Sequence, residues 1–170
     1  MQNHFELFAL PPRFSVDTAQ LDQAYHDVQG RVHPDRFTTA SDAEKRVAMQ
    51  WATRANEAYQ TLKHPLARAA YLCELNGVDL QVESNTAMPP GFLMQQMEWR
   101  EALDDARGNR DEAALATLDT ALQSARRDEI ALIGRLFDAN DPAAAALEVR
   151  KLMFIEKFGD EVGATFDLLA

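Results

Sequence analysis

Cysteine is almost absent: Cys73 is the only one among 170 residues. No intrachain disulfide, zinc knuckle or iron–sulfur ligand set can therefore be built from thiolates alone. Glycine and proline are scarce at seven each, too few for a low-complexity or collagen-like chain. No run approaches the roughly 18 consecutive apolar residues that a membrane span needs. The opening Met1-Gln-Asn-His-Phe-Glu-Leu lacks the basic region and long apolar stretch of a signal peptide. Alternating Val, Ile and Thr runs between turn residues, the mark of strands, are missing too, and there is no internal repeat of fixed period. With 46% hydrophobic and 26% charged residues, the expectation is a soluble, cytosolic, all-α chain of one domain or two small ones.

Charge of one sign is concentrated in one half. Residues 1–76 hold eight Lys+Arg and nine Asp+Glu, a net of −1, together with all four histidines. Residues 77–170 hold nine Lys+Arg against eighteen Asp+Glu, a net of −9, which completes the overall −10. Phosphates would meet a like-charged surface there, so no nucleic-acid partner is expected and a basic protein surface is favoured.

The readable signals are helical. A short segment from His4 to Leu10 stops at Pro11-Pro12. Asp17 with Gln20 forms a capping-box pattern, and Leu21, Tyr25, Val28 and Val32 then recur on one helical face. That helix must end near Val32, because the residue before Pro34 is pushed out of the α region. Ser41 with Glu44 starts a second long helix, whose Val47, Trp51, Ala55, Ala58, Tyr59 and Leu62 make an apolar stripe. Pro65 opens a shorter helix and Asn76-Gly77 stops it. Residues 1–76 thus read as a domain in which a helical hairpin, joined by a loop over 33–40, is flanked by two short helices.

Residues 77–90 are polar and broken, with Ser84-Asn85-Thr86 and Pro89-Pro90 least helical, and read as a linker. Residues 91–170 read as a three-helix bundle joined by short links. The first helix covers about 91–107, with Gly108 at its end. The second is capped by Asn109 with Glu112 and runs to about Ala139. The third opens at Asp141-Pro142 and reaches Phe158, where Gly159 interrupts or bends it.

The loop opens with His33-Pro34-Asp35. Alone, that tripeptide is a helix terminator with a polar loop. Here it stands in a series: Tyr25, then His33-Pro34-Asp35-Arg36-Phe37, then Asn56-Glu57-Ala58-Tyr59, Leu62, Pro65, Arg68 and Tyr71. This order, over the whole first domain, resembles a J-domain, the module by which co-chaperones drive a DnaK-type chaperone. Pro34 stiffens the backbone and extends His33, and Asp35 presents a carboxylate suited to a charge-assisted bond with a partner's Arg. The resemblance implies that His33, Pro34 and Asp35, with Arg31 and Arg36 beside them, couple chaperone docking to ATP hydrolysis. ATP and its magnesium would belong to the partner, since no Gly-rich phosphate loop is present. One departure stands out: J-domains usually carry several Lys or Arg on the helix before the loop, whereas this one offers chiefly Arg31 among Asp22 and Asp27, with Arg36 where Lys is usual. Weaker electrostatic steering to a general chaperone follows.

On the first helix of the second domain, Phe92, Trp99, Leu103 and Ala106 fall on one side at 100° per residue, and Met94, Met97, Glu101 and Asp105 on the other, edged by Leu93 and Glu98. Either the helix packs on two sides and the methionines are core, or they form a docking face of flexible apolar groups rimmed by carboxylates. The third helix has the same ambiguity: Val149 and Leu152 lie on one face, Leu147, Phe154 and Phe158 on the other, so Phe154 is exposed beside the methionines or is core.

The run Phe92-Leu-Met-Gln-Gln-Met-Glu-Trp-Arg-Glu-Ala-Leu-Asp, placed after a J-domain and short linker, and Val149-Arg-Lys-Leu-Met-Phe154, resemble the bacterial HscB family of iron–sulfur cluster co-chaperones. The resemblance implies that the bundle binds an IscU-type scaffold protein through Leu93, Met94, Met97, Glu98, Glu101, Asp105 and Phe154. It implies further that the J-domain delivers that scaffold to a dedicated DnaK-type chaperone, HscA. Met97 stands where Leu is common and Asp105 where Glu is common. Some eukaryotic relatives carry a pair of CxxC metal motifs; with Cys73 alone this chain has none, and neither metal nor other cofactor is expected. Cys73 itself, within Tyr71-Leu72-Cys73-Glu74-Leu75, reads as a buried spacer.

Two alternatives compete. An enzyme would use His33 and Asp35 as base and orienter, or a metal on His4, His26, His33 and His64. No nucleophile or oxyanion motif accompanies them, and the histidines lack i, i+4 spacing, so no catalytic or metal-binding residue is assigned. The other alternative is a J-domain protein delivering a different basic client to a DnaK-type chaperone.

Overall fold

A computed structural model describes residues 2–80 and 88–170. The described residues form helices α1 (His4–Leu7), α2 (Thr18–Val32), α3 (Asp42–Lys63), α4 (Pro65–Leu75), α5 (Pro90–Gly108), α6 (Glu112–Asp138) and α7 (Pro142–Leu169), with a 3-10 turn at Pro34–Phe37 and no strand. The fold is all-α. The chain divides into two compact units, Met1–Leu75 and Asn76–Ala170. Ser84-Asn85-Thr86 lie outside the described residues.

In the first unit, side chains satisfy the helix starts. Asp17 Oδ1 accepts from Ala19 N at 3.0 Å and Gln20 N at 3.3 Å, and Ser41 Oγ accepts from Glu44 N at 3.2 Å. A reciprocal capping box sits at Asn3 and Glu6. It nucleates only one turn: α1 ends at Leu7 rather than Leu10, because Ala9 takes a left-handed φ of 53° that reverses the chain before Pro11. Phe5, Leu21, Ala55, Ala58 and Leu62 are completely buried. The α3 stripe is core only along its later turns. Val47 and Trp51 are exposed and Ala48 is buried in their place. The first turns of α3 face the end of α2 and the 3-10 turn across an open groove that leaves Val47 and Trp51 uncovered. Gly77, at φ 71°, follows α4 in the left-handed conformation that suits glycine after a helix.

The second unit is a three-helix bundle in which α6 and α7 share the largest contact. Its core joins Trp99, Leu103, Leu115, Leu122, Phe158 and Val162 from all three helices. The cap of α6 is Asp111, not Asn109. Arg110 takes φ 51°, Asp111 N donates to Ala106 O at 2.9 Å, and Asp111 Oδ1 accepts from Ala114 N at 3.0 Å. A three-residue link needs a left-handed residue in its middle, and this leaves Asn109 finishing α5. The next link repeats the design with Asn140 at φ 57° and Asp141 Oδ1 accepting from Ala144 N at 3.2 Å.

Gly159 neither interrupts nor ends α7, which continues to Leu169. Buried Phe158, Val162, Thr165 and Leu169 extend the core stripe beyond it, and their burial outweighs the roughly 1 kcal/mol that a mid-helix glycine costs. A Cβ at Gly159 would meet nothing within 4 Å. Gly159→Ala is therefore expected to stabilise the second unit by about 0.5–1 kcal/mol, read as a higher urea midpoint at unchanged slope. The two faces expected on α7 are both packed: Val149, Leu152 and Phe158 are buried, and Leu147 and Phe154 half-buried.

Candidate functional site

At the end of α2 the chain turns on His33. Its backbone is extended (φ −60°, ψ 136°), as Pro34 requires, and Pro34 opens the 3-10 turn. His33 Nδ1 accepts from Asp35 N at 3.2 Å, and Arg36 N donates to His33 O at 3.0 Å. With Nδ1 as acceptor, the neutral ring carries its proton on Nε2. The His33 and Asp35 side chains are 56% and 88% exposed, with Nδ1 3.5 Å from Asp35 Oδ2. Histidine thus shapes the turn while the aspartate is held out to solvent. Arg31 and Arg36 are also exposed, Arg31 Nε donating to Asp27 O at 3.4 Å.

The other residues of the sequence series hold the hairpin that presents this turn. The Tyr25 and Tyr59 rings stack at 4.1 Å. Tyr25 Oη donates to Asn56 Oδ1, and Gln29 Nε2 donates to Tyr25 Oη at 2.7 Å. Tyr59 Oη donates to Asp22 Oδ1 at 2.7 Å and accepts from Lys63 Nζ at 2.6 Å, which engages one of the two α2 acids that set this helix apart. Arg68 Nη1 donates to Leu62 O at 2.7 Å beneath the Phe14 ring. Tyr71 Oη accepts from His4 N at 2.9 Å, while burial holds the His4 imidazole below its usual pKa.

An apolar groove adjoins the turn, lined by Val32, Phe37, Ala43, Val47 and Trp51. The Arg54 guanidinium lies 4.8 Å from the Trp51 ring centre. Val47 and Trp51 belong to the apolar stripe of α3, yet both are exposed; the neighbouring Phe37, apolar in an otherwise polar loop, is the sequence signal of a groove.

On α5, Met94 and Met97 are 63% and 72% exposed and Leu93 43%. Glu98, Glu101 and Asp105 are exposed along the same side, whereas Trp99, Leu103 and Ala106 are buried beneath it. The methionines are not core. The helix is pinned from the far side by Arg100 to Glu161 at 3.2 Å and by Arg107 Nη2 to Thr165 Oγ1 at 3.2 Å. An exposed apolar strip with an acidic rim results. Phe154 is not part of that exposed surface. It is half-buried, edge-on to Phe92 at 5.8 Å and stacked with Phe158 at 5.7 Å and Trp99 at 6.5 Å. It therefore supports the start of α5 from below.

Among the described residues no three His, Cys, Asp or Glu side chains are grouped to hold a metal ion, and no helix is long and apolar enough to cross a membrane. Cys73 is buried, and burial pushes its thiol up to about 11.

Residues 88–163 match the family model described as the HSCB C-terminal oligomerisation domain. The co-chaperone protein HscB homolog of Burkholderia mallei (strain SAVP1) is 55% identical over 167 residues, covering 98% of this chain and 95% of that protein. The homolog from Burkholderia vietnamiensis (strain G4 / LMG 22486) is 56% identical over the same shares. Among solved structures, the chaperone HscB from Vibrio cholerae is 40% identical, with a TM-score of 0.86 over 99% of this chain and 100% of that one. The human co-chaperone protein HscB is 28% identical, with a TM-score of 0.91 over 96% of this chain and 82% of that one.

Proposed function

The chain belongs to the HscB family of co-chaperones, and from that premise we propose that it is a cytoplasmic adaptor in iron–sulfur cluster assembly. Residues 1–76 act as a J-domain that stimulates ATP hydrolysis by an HscA-type, DnaK-family chaperone. Residues 91–170 hold an IscU-type scaffold, and residues 77–90 connect the two. The observation that carries the reading is one chain with two exposed surfaces of unlike chemistry: the His33-Pro34-Asp35 turn on one unit, and the methionine face of α5 on the other.

The chemistry of hydrolysis belongs to the chaperone, and the cluster is cargo on the scaffold; this protein supplies geometry. Asp35, with Arg31 and Arg36 beside it, offers a carboxylate for a bidentate bond to a chaperone arginine. The groove at Val47 and Trp51, continuous with the turn, extends the same docking surface and receives an apolar segment of the chaperone. Leu93, Met94 and Met97 dock an apolar spot on the scaffold, Glu98, Glu101 and Asp105 meet its basic rim, and Phe154 backs the contact. Tethering raises the local concentration of scaffold beside the chaperone, which converts two weak encounters into one productive complex.

The test is the steady-state ATPase rate of an HscA-type chaperone with this protein and the scaffold added separately and together. Strong synergy supports the reading. Stimulation that ignores the scaffold leaves a J-domain protein with another basic client. Reversing the rim with Glu101→Lys and Asp105→Lys is expected to weaken scaffold binding by about tenfold or more, chiefly through slower association, and to spare stimulation without scaffold. Unchanged association at low salt would count against an acidic docking rim.

A further inference from the structure

The second unit brings two carboxyl groups together between α6 and α7. Glu129 on α6 and Glu148 on α7 lie within hydrogen-bonding reach of each other. Each has a buried Oε2 that meets no donor from any other residue. Two ionised carboxylates are acceptors only, so both oxygens are satisfied at once only if a proton lies between them. Lys151 Nζ bonds the remaining Glu148 oxygen, Oε1, at 3.0 Å, with both side chains largely buried. That ammonium occupies the other Glu148 oxygen, so the proton between the two carboxyls is placed on Glu129, which has no cation of its own within bonding distance.

The surroundings agree. From α7 the charged groups acting on Glu129 are Glu148 and Lys151, and from α6 itself Asp128. Arg150, also on α7, is turned to the segment before α5, its Nη1 donating to Leu80 O at 3.2 Å. From α5 comes the Phe92 ring, whose centre lies 5.8 Å from Lys151 Nζ. Burial first, then the hydrogen bond and negative charge of Glu148, push the Glu129 carboxyl up to about 8 against the partial opposition of Lys151.

We propose that Glu129 and Glu148 share one proton at neutral pH, and that losing it on the alkaline side loosens α6 from α7. The pair is a pH-sensitive latch in the half of the protein that carries the α5 face. The direction follows from linkage. An unfolded Glu129 releases its proton near the ordinary carboxyl pKa, whereas the folded pair keeps it to a higher pH. Stability is therefore full below the ordinary value, falls as pH rises from there, and levels off above the folded value. Because Lys151 also lies against Phe92, the latch and the first turn of α5 share a support.

The window for a test is unusually clean. Residues 77–170 contain no histidine and no cysteine, so no other side chain of that region has an ordinary pKa between about 6 and 8. The two tryptophans are divided between the units, Trp51 in the first and Trp99 in the second. In full-length protein carrying Trp51→Phe, buried Trp99 reports the second unit alone. Urea unfolding followed by its fluorescence at intervals between pH 6 and 8 should give an unfolding constant that rises roughly threefold or more per pH unit, short of the tenfold limit for one fully linked proton. Glu129→Gln keeps an amide donor for Glu148 without titrating, and should flatten that dependence and raise the midpoint at pH 8. A flat profile with Glu129 intact, or the same slope in Glu129→Gln, would overturn the proposal. Should the variant fail to fold, infrared spectra of the unmodified chain decide: a protonated-carboxyl carbonyl band present at pH 7 and lost by pH 9.5 supports the pair, and its absence at pH 7 excludes it.

Discussion

His33→Gln is expected to abolish stimulation of the chaperone's ATPase while leaving the fold in place. More than half of the His33 side chain is in solvent and it fills no core space, so its removal falls in the class of surface changes worth about 0.5 kcal/mol or less. Its work is local. Nδ1 takes the Asp35 N–H, which fixes the direction in which the Asp35 carboxylate leaves the turn. A glutamine is longer and unrestrained, and it offers the partner no imidazole N–H. Truncating one side of a desolvated charge pair costs about 2–5 kcal/mol, so misdirecting Asp35 is enough to remove a measurable ATPase response. Asp35→Asn, which keeps the shape and loses the charge, should be nearly as severe. Circular dichroism and a urea curve matching the parent, with a flat ATPase titration, is the expected pair of results. Full stimulation by His33→Gln would remove the turn from the docking surface.

The second large effect concerns α5. Replacing Met94 and Met97 together by alanine should weaken scaffold binding by about 2–4 kcal/mol, on the order of 30- to 1,000-fold, if each buries its thioether chain against the partner. Neither touches the core, so the melting curve should not move; alanine even favours the helix slightly. The same protein should still stimulate the chaperone when no scaffold is present, and lose the synergy when it is. Calorimetric titration of the scaffold reads the affinity directly. A change of less than twofold would mean that the exposed methionines serve some other contact.

Much of this was legible from the chain. Pro34, Pro65, Gly77 and Pro142 punctuate the sequence by backbone chemistry alone, and the helices stop and start beside them. The two faces of α5 followed from angular arithmetic, and the structure decides between the two readings by leaving Met94 and Met97 exposed. What failed did so for tertiary reasons. Periodicity marks an apolar stripe without saying how far its cover extends, so it does not tell exposed Val47 and Trp51 from buried Ala55 and Leu62. The glycine at 159 carries a local preference that the burial of Phe158 and Val162 overrides. The sequence pairs Asn109 with Glu112 as a cap, but the left-handed Arg110 puts Asp111 at the helix start instead. Phe154 sits under α5 because α7 is packed by two helices, a fact no single helical wheel contains. The Glu129–Glu148 pair had no signal at all: two acids nineteen positions apart look like solvated charge until α6 and α7 are laid together.

Cys73 has a practical consequence. Buried in α4 with its thiol pushed up to about 11, it holds almost no thiolate at neutral pH and no path for a reagent. Its modification must wait for α4 to open, so the rate of reaction with a thiol reagent is a clock for opening of the first unit, without isotope exchange or denaturant. A cysteine introduced at exposed Met97 would react at once by comparison. The natural sequence therefore already serves as a silent background for attaching a single fluorophore to the second unit, while its own thiol times the first.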